Sequence, residues 1–132
     1  MPIEPAHYAQ NEAWLLFRLT ETPVHTVEDG DFEVFALLDV ATGLMLGMEF
    51  VEASAPEPSA LQSRRLLGSA AEAAGRLPER IYLDADAGLE AFSAALAAMS
   101  IEACPESAAA LAPLTQEARD GFRAHMGGGP AP

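Results

Sequence analysis

Carboxylates dominate the side chains of this chain that could do chemistry, and Asp39 is the most pointed of them. It sits inside the otherwise apolar stretch 32–51, FEVFALLDVATGLMLGMEFV, where an ionisable group must find hydrogen-bond donors or a cation. The plain role for an acid at such a place is a turn residue bonding the backbone of Thr42 or Gly43. Asp84 and Asp86 precede a helical pattern, where acids stabilise the exposed N–H groups of the first turn. His7, His25 and His125 show neither i, i+4 nor His-x-His spacing, so they predict no metal site. His125 suits the field at a helix C-terminus. Cys104 is the single cysteine, which excludes an internal disulfide and a cysteine zinc site. It is expected as a small buried hydrophobe. Ser69 and Ser93 fall within helical patterns, and neither a G-x-S-x-G elbow nor a phosphate-binding glycine loop is present.

These groups need elements to position them. Within 32–51 two strands are joined by a turn at Ala41-Thr42-Gly43. Phe32, Val34, Leu38 and Val40 fall on one face of the first strand, and Phe35 and Leu37 on the other. A strand apolar on both faces is central in its sheet. The returning strand places Leu44, Leu46, Met48 and Phe50 together, opposite Gly47 and Glu49. Ala13 to Thr20 is too short for its period to separate strand from helix. The breakers Thr22-Pro23 and Glu28-Asp29-Gly30 favour a strand. Ser59-x-x-Gln62 is a capping box opening a helix that buries Leu66, Leu67, Ala70 and Ala74, exposes Arg64 and Arg65, and ends at Gly75. A strand at Arg80 to Leu83, a helix from Ala87 to Met99 with Leu89, Phe92 and Leu96 inward, and a strand at Ile101 to Cys104 follow. Their closeness implies a right-handed parallel crossover. Residues 105–113 are expected as a connection, with Thr115 capping a last helix that turns Leu114, Ala118, Phe122 and Met126 inward.

The order β-β-β-α-β-α-β-α is that of an α/β domain with one mixed sheet, antiparallel first and parallel afterwards. Residues 1–12 are expected as an irregular lead-in, 13–126 as one domain and 127–132 as a flexible tail. Leu38, Leu46, Ile81, Leu83, Leu96 and Phe122 are expected in a single core. The 132 residues suit one domain, and their formal charge is −13, from 20 acids against seven bases that are all arginine. Such a surface repels phosphate backbones and disfavours direct nucleic-acid binding. The N-terminus lacks the pattern of a signal peptide and no apolar run is long enough to span a bilayer, so the cytoplasm is the default. Abundant Ala and Arg without Lys suggest a GC-rich bacterial genome.

Two stretches carry a resemblance. Leu38-Asp39-Val40-Ala41-Thr42-Gly43 with Leu46-Gly47 is similar to the first hairpin of integrase and transposase cores, which have the ribonuclease-H-like fold. The stretch 75–84, GRLPERIYLD, resembles the approach to their second catalytic aspartate, and the likeness runs over residues 32–104. It also looks like a group of uncharacterised bacterial domains of that layout. In the catalytic families two aspartates and a later acid hold two metal ions for phosphoryl transfer. By position the resemblance implies Asp39 and Asp84 as the first two ligands, with Asp86 as a stand-in for Asp84. The third acid is expected on the last helix, where Asp120 and Glu117 are the candidates. On a helical wheel Asp120 falls opposite the stripe of Ala118 and Phe122, and Glu117 on its margin.

The first functional reading is therefore a non-catalytic, acidic interaction or regulatory module without a cofactor. Its implied partner is another protein, a basic one suiting the charge. The alternative is a nuclease or phosphohydrolase using Mg²⁺ or Mn²⁺ on Asp39, Asp84, Asp86 and Glu117. A third reading is an acidic mimic of nucleic acid that occupies a basic protein. Under the first reading Asp39→Asn is expected to be neutral or slightly stabilising, because it relieves repulsion between Asp39 and Asp84.

Overall fold

Strand β1 (Ala13–Arg18) organises the molecule. In the computed structural model, which describes residues 3–20, 24–26, 30–55, 57–87 and 89–127, Ala13 to Phe17 are all buried. An apolar run covered on both faces can only be a central strand, which resolves the ambiguity of Ala13 to Thr20. After it come β2 (Val24–Thr26), β3 (Gly30–Asp39), β4 (Met45–Glu52), α1 (Ala60–Ala74), β5 (Arg80–Asp84), α2 (Glu90–Ala98), β6 (Glu102–Glu106) and α3 (Ala108–Gly127). The six strands form one sheet, to which β2 adds only three residues. β3 pairs antiparallel with β1, β2 and β4, whereas β5 pairs parallel with β1 and β6. The expected α/β class and mixed sheet are what the molecule has.

The core is split by the sheet into two layers, correcting the expectation of a single cluster. Trp14, Leu16, Phe35, Leu37, Ile81 and Leu83 pack against Leu66, Leu67, Phe92 and Leu96 of α1 and α2. Leu15, Phe17, Val34, Ala36, Leu38 and Tyr82 face the other way, beneath Leu111 and Leu114 of α3. Leu38 thus belongs to a different layer from Leu46 and Ile81, as the two-residue period of a strand demands. The side chain of Phe122 lies outside the described residues. Segment 1–12, expected as irregular, contains a 3₁₀ turn at Pro5–His7 and docks through buried Ile3, whose N–H reaches Ala110 O at 3.3 Å. Of the expected tail 127–132, Gly127 is instead the last residue of α3, and residues 128–132 lie outside the described residues.

Local chemistry explains the element ends. Ser59 and Gln62 form the capping box, and Gly75 closes α1 with φ 79°, a left-handed conformation that glycine adopts without strain. α1 lies so close to β4 that a Cβ on Gly47 would meet Leu66 Cδ1 at 3.3 Å. α2 starts at Glu90 rather than Ala87, because Ala87 N–H is held by Asp84 O at 3.1 Å. β6 runs on through Pro105, tolerated because β6 is an edge strand. α3 begins well before Thr115, with Ser107 Oγ accepting from Ala110 N–H at 3.2 Å. Pro113 lies within it, exposed, and the helix continues past. An irregularity of the β3–β4 register at Leu37/Leu38 turns Leu46 toward α1 and leaves Met48 and Phe50 on the opposite, exposed face. The four-residue alternation expected from Leu44 to Phe50 is broken there, as a bulge does.

The layering makes a direct prediction. Phe92→Ala, which empties a fully buried site, should cost about 3–5 kcal/mol in urea unfolding. Phe50→Ala, at a position 64% exposed, should stay within about 0.5 kcal/mol. Equal losses at the two positions would contradict this packing.

Candidate functional site

Asp39 ends β3 with its side chain 1% exposed, opposite Trp14 in the register. Its Oδ1 accepts the backbone N–H of Asn11 at 3.0 Å, and its Oδ2 accepts the Thr42 hydroxyl at 2.8 Å. Trp14 Nε1–H in turn donates to Asn11 Oδ1 at 3.1 Å. Asn11 holds φ at 62°, a left-handed conformation that asparagine tolerates better than most residues. The carboxylate is therefore a knot tying the lead-in, β1 and the β3–β4 turn together, each oxygen being met by a donor. Thr42 takes part as expected, through its hydroxyl, while Gly43 N–H bonds Asp39 O at 2.8 Å instead.

Asp84 stands elsewhere. Strand alternation places Asp39 on the face of Phe35 and Leu37, and Asp84 on the face of Tyr82. Because Trp14 pairs with both Asp39 and Ile81, Asp84 also lies three residues further along the sheet. That is roughly 10 Å along the strands and two strand spacings of about 4.8 Å across. The two aspartates occupy opposite faces and opposite ends, so no single ion can be held by both.

Asp84 borders a cleft of about 420 Å³ at the carboxyl ends of β1 and β5, where parallel sheets usually place ligands. Phe17, Leu111, Thr115, Gln116 and Arg119 also line it. Extending the β1–β5 register puts Phe17 beside Asp84. Arg119 reaches across from α3, donating from Nε and Nη2 to Arg18 O at 3.0 and 2.8 Å. Its guanidinium carbon lies 6.0 Å from the centre of the Phe17 ring, within cation–π range. Asp84 Oδ1 accepts the Asp86 N–H at 2.9 Å, so Asp84 and Asp86 build a turn and do not cap α2. The first turn of α2 is met by Glu57, whose Oε1 accepts Ala91 N–H at 2.7 Å. Glu117 and Asp120 are exposed and neither lines the cleft; Asp120 accepts from Gln116 Nε2 at 2.9 Å. Asn11, Phe17, Glu57 and Arg119 escaped the sequence reading, because their roles depend on partners far away in the chain.

No protein-family model matches the chain, and no curated protein matches it in sequence. Solved structures do. The catalytic core domain of HTLV-2 integrase, determined with magnesium in its dimeric form, superposes with TM-score 0.55 at 11% identity, covering 99% of this chain and 81% of that one. A simian T-cell lymphotropic virus intasome in complex with the PP2A regulatory subunit B56 gamma gives TM-score 0.51 at 11% identity, over 92% and 43%. The fold is ribonuclease-H-like. The integrase-like layout read over residues 32–104 extends over nearly the whole chain, and at this identity it establishes the fold alone.

On the α3 side of the ribonuclease-H-like sheet, Tyr8 and Tyr82 meet hydroxyl to hydroxyl at 2.5 Å, with rings edge to face at 6.1 Å. Burial and the Tyr8 hydrogen bond both push the Tyr82 phenol up. Nearby Cys104 is half-buried, and burial followed by the Glu102 carboxylate raises its thiol. A raised thiol carries less thiolate at a given pH. Reaction with a disulfide reagent at pH 7–8 should therefore be slower than for a free cysteine, accelerating only at higher pH.

The knot around Asp39 reverses the expectation that Asp39→Asn is neutral. Asn can keep one acceptor for Asn11 N–H, but its NH₂ then faces the Thr42 hydroxyl, which loses the carboxylate oxygen it donates to. A loss of about 1–3 kcal/mol should follow, as for a buried hydrogen bond to a charged group. Asp84→Asn keeps an acceptor for Asp86 N–H and should stay within about 0.5 kcal/mol. Chemical denaturation of both variants checks this, and a larger loss at Asp84 would contradict it.

Proposed function

We propose that this chain is a non-catalytic ribonuclease-H-like domain acting as an acidic protein-interaction module in a bacterial cytoplasm. One observation carries the reading: the cleft wall around Asp84 is built from Phe17 and Arg119. Two-metal chemistry needs several ionised ligands converging on ions about 3.5–4 Å apart. Here the neighbouring strand offers a phenyl ring, and α3 offers a fixed positive charge that repels a cation. The other cleft carboxylate, Glu33, pairs with Arg18 at 3.0 Å. Among the described residues no three His, Cys, Asp or Glu side chains are grouped to hold a metal. The charge of −13 supports the same reading, since it opposes a phosphate backbone and attracts a basic protein. No helix of the described residues is long and apolar enough to cross a membrane.

The test is thermal unfolding with millimolar Mg²⁺ or Mn²⁺. An ion bound to the native state alone must raise Tm by mass action. The expected result is an unchanged Tm. A rise that Asp84→Asn abolishes would promote the nuclease reading, whose fold this chain shares.

A further inference from the structure

The sheet face beneath α3 is only partly covered. Val34 and Ala36 of β3 are buried on it, yet their partners on β4, Phe50 and Met48, are 64% and 49% exposed. Leu44, just before β4, is 56% exposed. The other face of β4 is filled: Gly47 admits α1, and Val51 is buried against it. Apolar side chains as large as Met48 and Phe50, adjacent on one face of an edge strand, mark an interaction surface.

We propose that this β4 face docks a basic, amphipathic segment of another protein, laid beside α3 with its apolar residues on Met48 and Phe50. The proposal rests on the interaction-module reading and gives it a surface and a partner chemistry. Three observations select this occupant. Phe50 O already accepts Gln62 Nε2 at 3.1 Å, which blunts the strand edge and turns a partner to the face. Among the described residues, Arg119 of α3 already donates from Nε and Nη2 to the Arg18 carbonyl, whereas the Arg18–Glu33 and Arg65–Glu49 pairs lie across the sheet on the α1 side. Exposed Glu52 shares the strand face of Phe50, two residues on, within a chain of charge −13. A second copy would bring the same charge against itself; a segment with Lys or Arg flanking its apolar side would be drawn in and steered.

The probe is a synthetic amphipathic peptide of Leu and Lys at helical spacing, about 18 residues, beyond the length at which isolated helices are marginal. A counterpart with Glu in place of Lys serves as control. Binding is read by amide chemical-shift changes on the full chain. The Leu/Lys peptide should shift resonances of residues 44–52 and weaken at high salt, while the Glu form should not bind. The double substitution Met48→Ser and Phe50→Ser should reduce affinity at least about tenfold. Both sites are exposed, so Tm of the double variant should match the parent and exclude a folding defect.

Absence of binding, unchanged affinity in the variant, or shifts centred on the cleft at Asp84 would each overturn the proposal. So would sedimentation showing a dimer that the double substitution dissolves, since the occupant would then be a second copy. Failure here without metal stabilisation removes the surface and leaves the module reading. A metal-dependent rise in Tm removes the module reading itself.

Discussion

Everything in this molecule depends on β1 being paired on both sides in opposite senses, antiparallel to β3 and parallel to β5. Its residues Ala13 to Phe17 are all buried, so the strand cannot slip by one position without exposing an entire apolar set. That register fixes where each carboxylate arrives. Trp14 draws Asp39 and Asn11 to one end of the sheet, while Phe17 and Asp84 arrive together at the other. Chemistry at the two aspartates is therefore separate, whatever their spacing along the chain.

The two ends serve different purposes. At the Asp39 end a buried acid is fully engaged by neutral donors and works as architecture. At the Asp84 end an open cleft remains, with its polar groups committed to one another: Arg119 to the Arg18 carbonyl, Arg18 to Glu33, Asp84 to the Asp86 N–H. The polar groups of this cleft are thus held largely by one another. The unfilled apolar surface lies away from it, on the margin of the same face.

What the sequence made legible was local or periodic. The capping box at Ser59 and Gln62, the stop at Gly75, the two faces of β3 and the inward stripe of α2 all follow from spacing within a few residues. The mixed sheet followed from element order and from a hairpin resembling integrase cores. The missed side-chain contacts share a cause: each needed a partner distant in sequence. Asn11 binds Asp39 across 28 positions and Arg119 binds Arg18 across 101. Glu57 reaches α2 across 34. The β4 bulge separated Leu46 from Met48 and Phe50, because a single unpaired residue breaks the two-residue alternation at that point. Pro113 suggested a boundary, whereas Ser107 had already started the helix.

The claim that Asp39 and Asp84 serve separate ends can be tested by paramagnetic broadening of amide resonances with Mn²⁺. The account predicts that any broadening is weak and follows exposed acids such as Glu90 and Glu117, sparing the amides around Asp39. Saturable broadening of Gly43 and Asp86 at one and the same Mn²⁺ concentration would contradict it. That result would mean that a single ion sees both ends of the sheet, and that the register of β1 is not the one described.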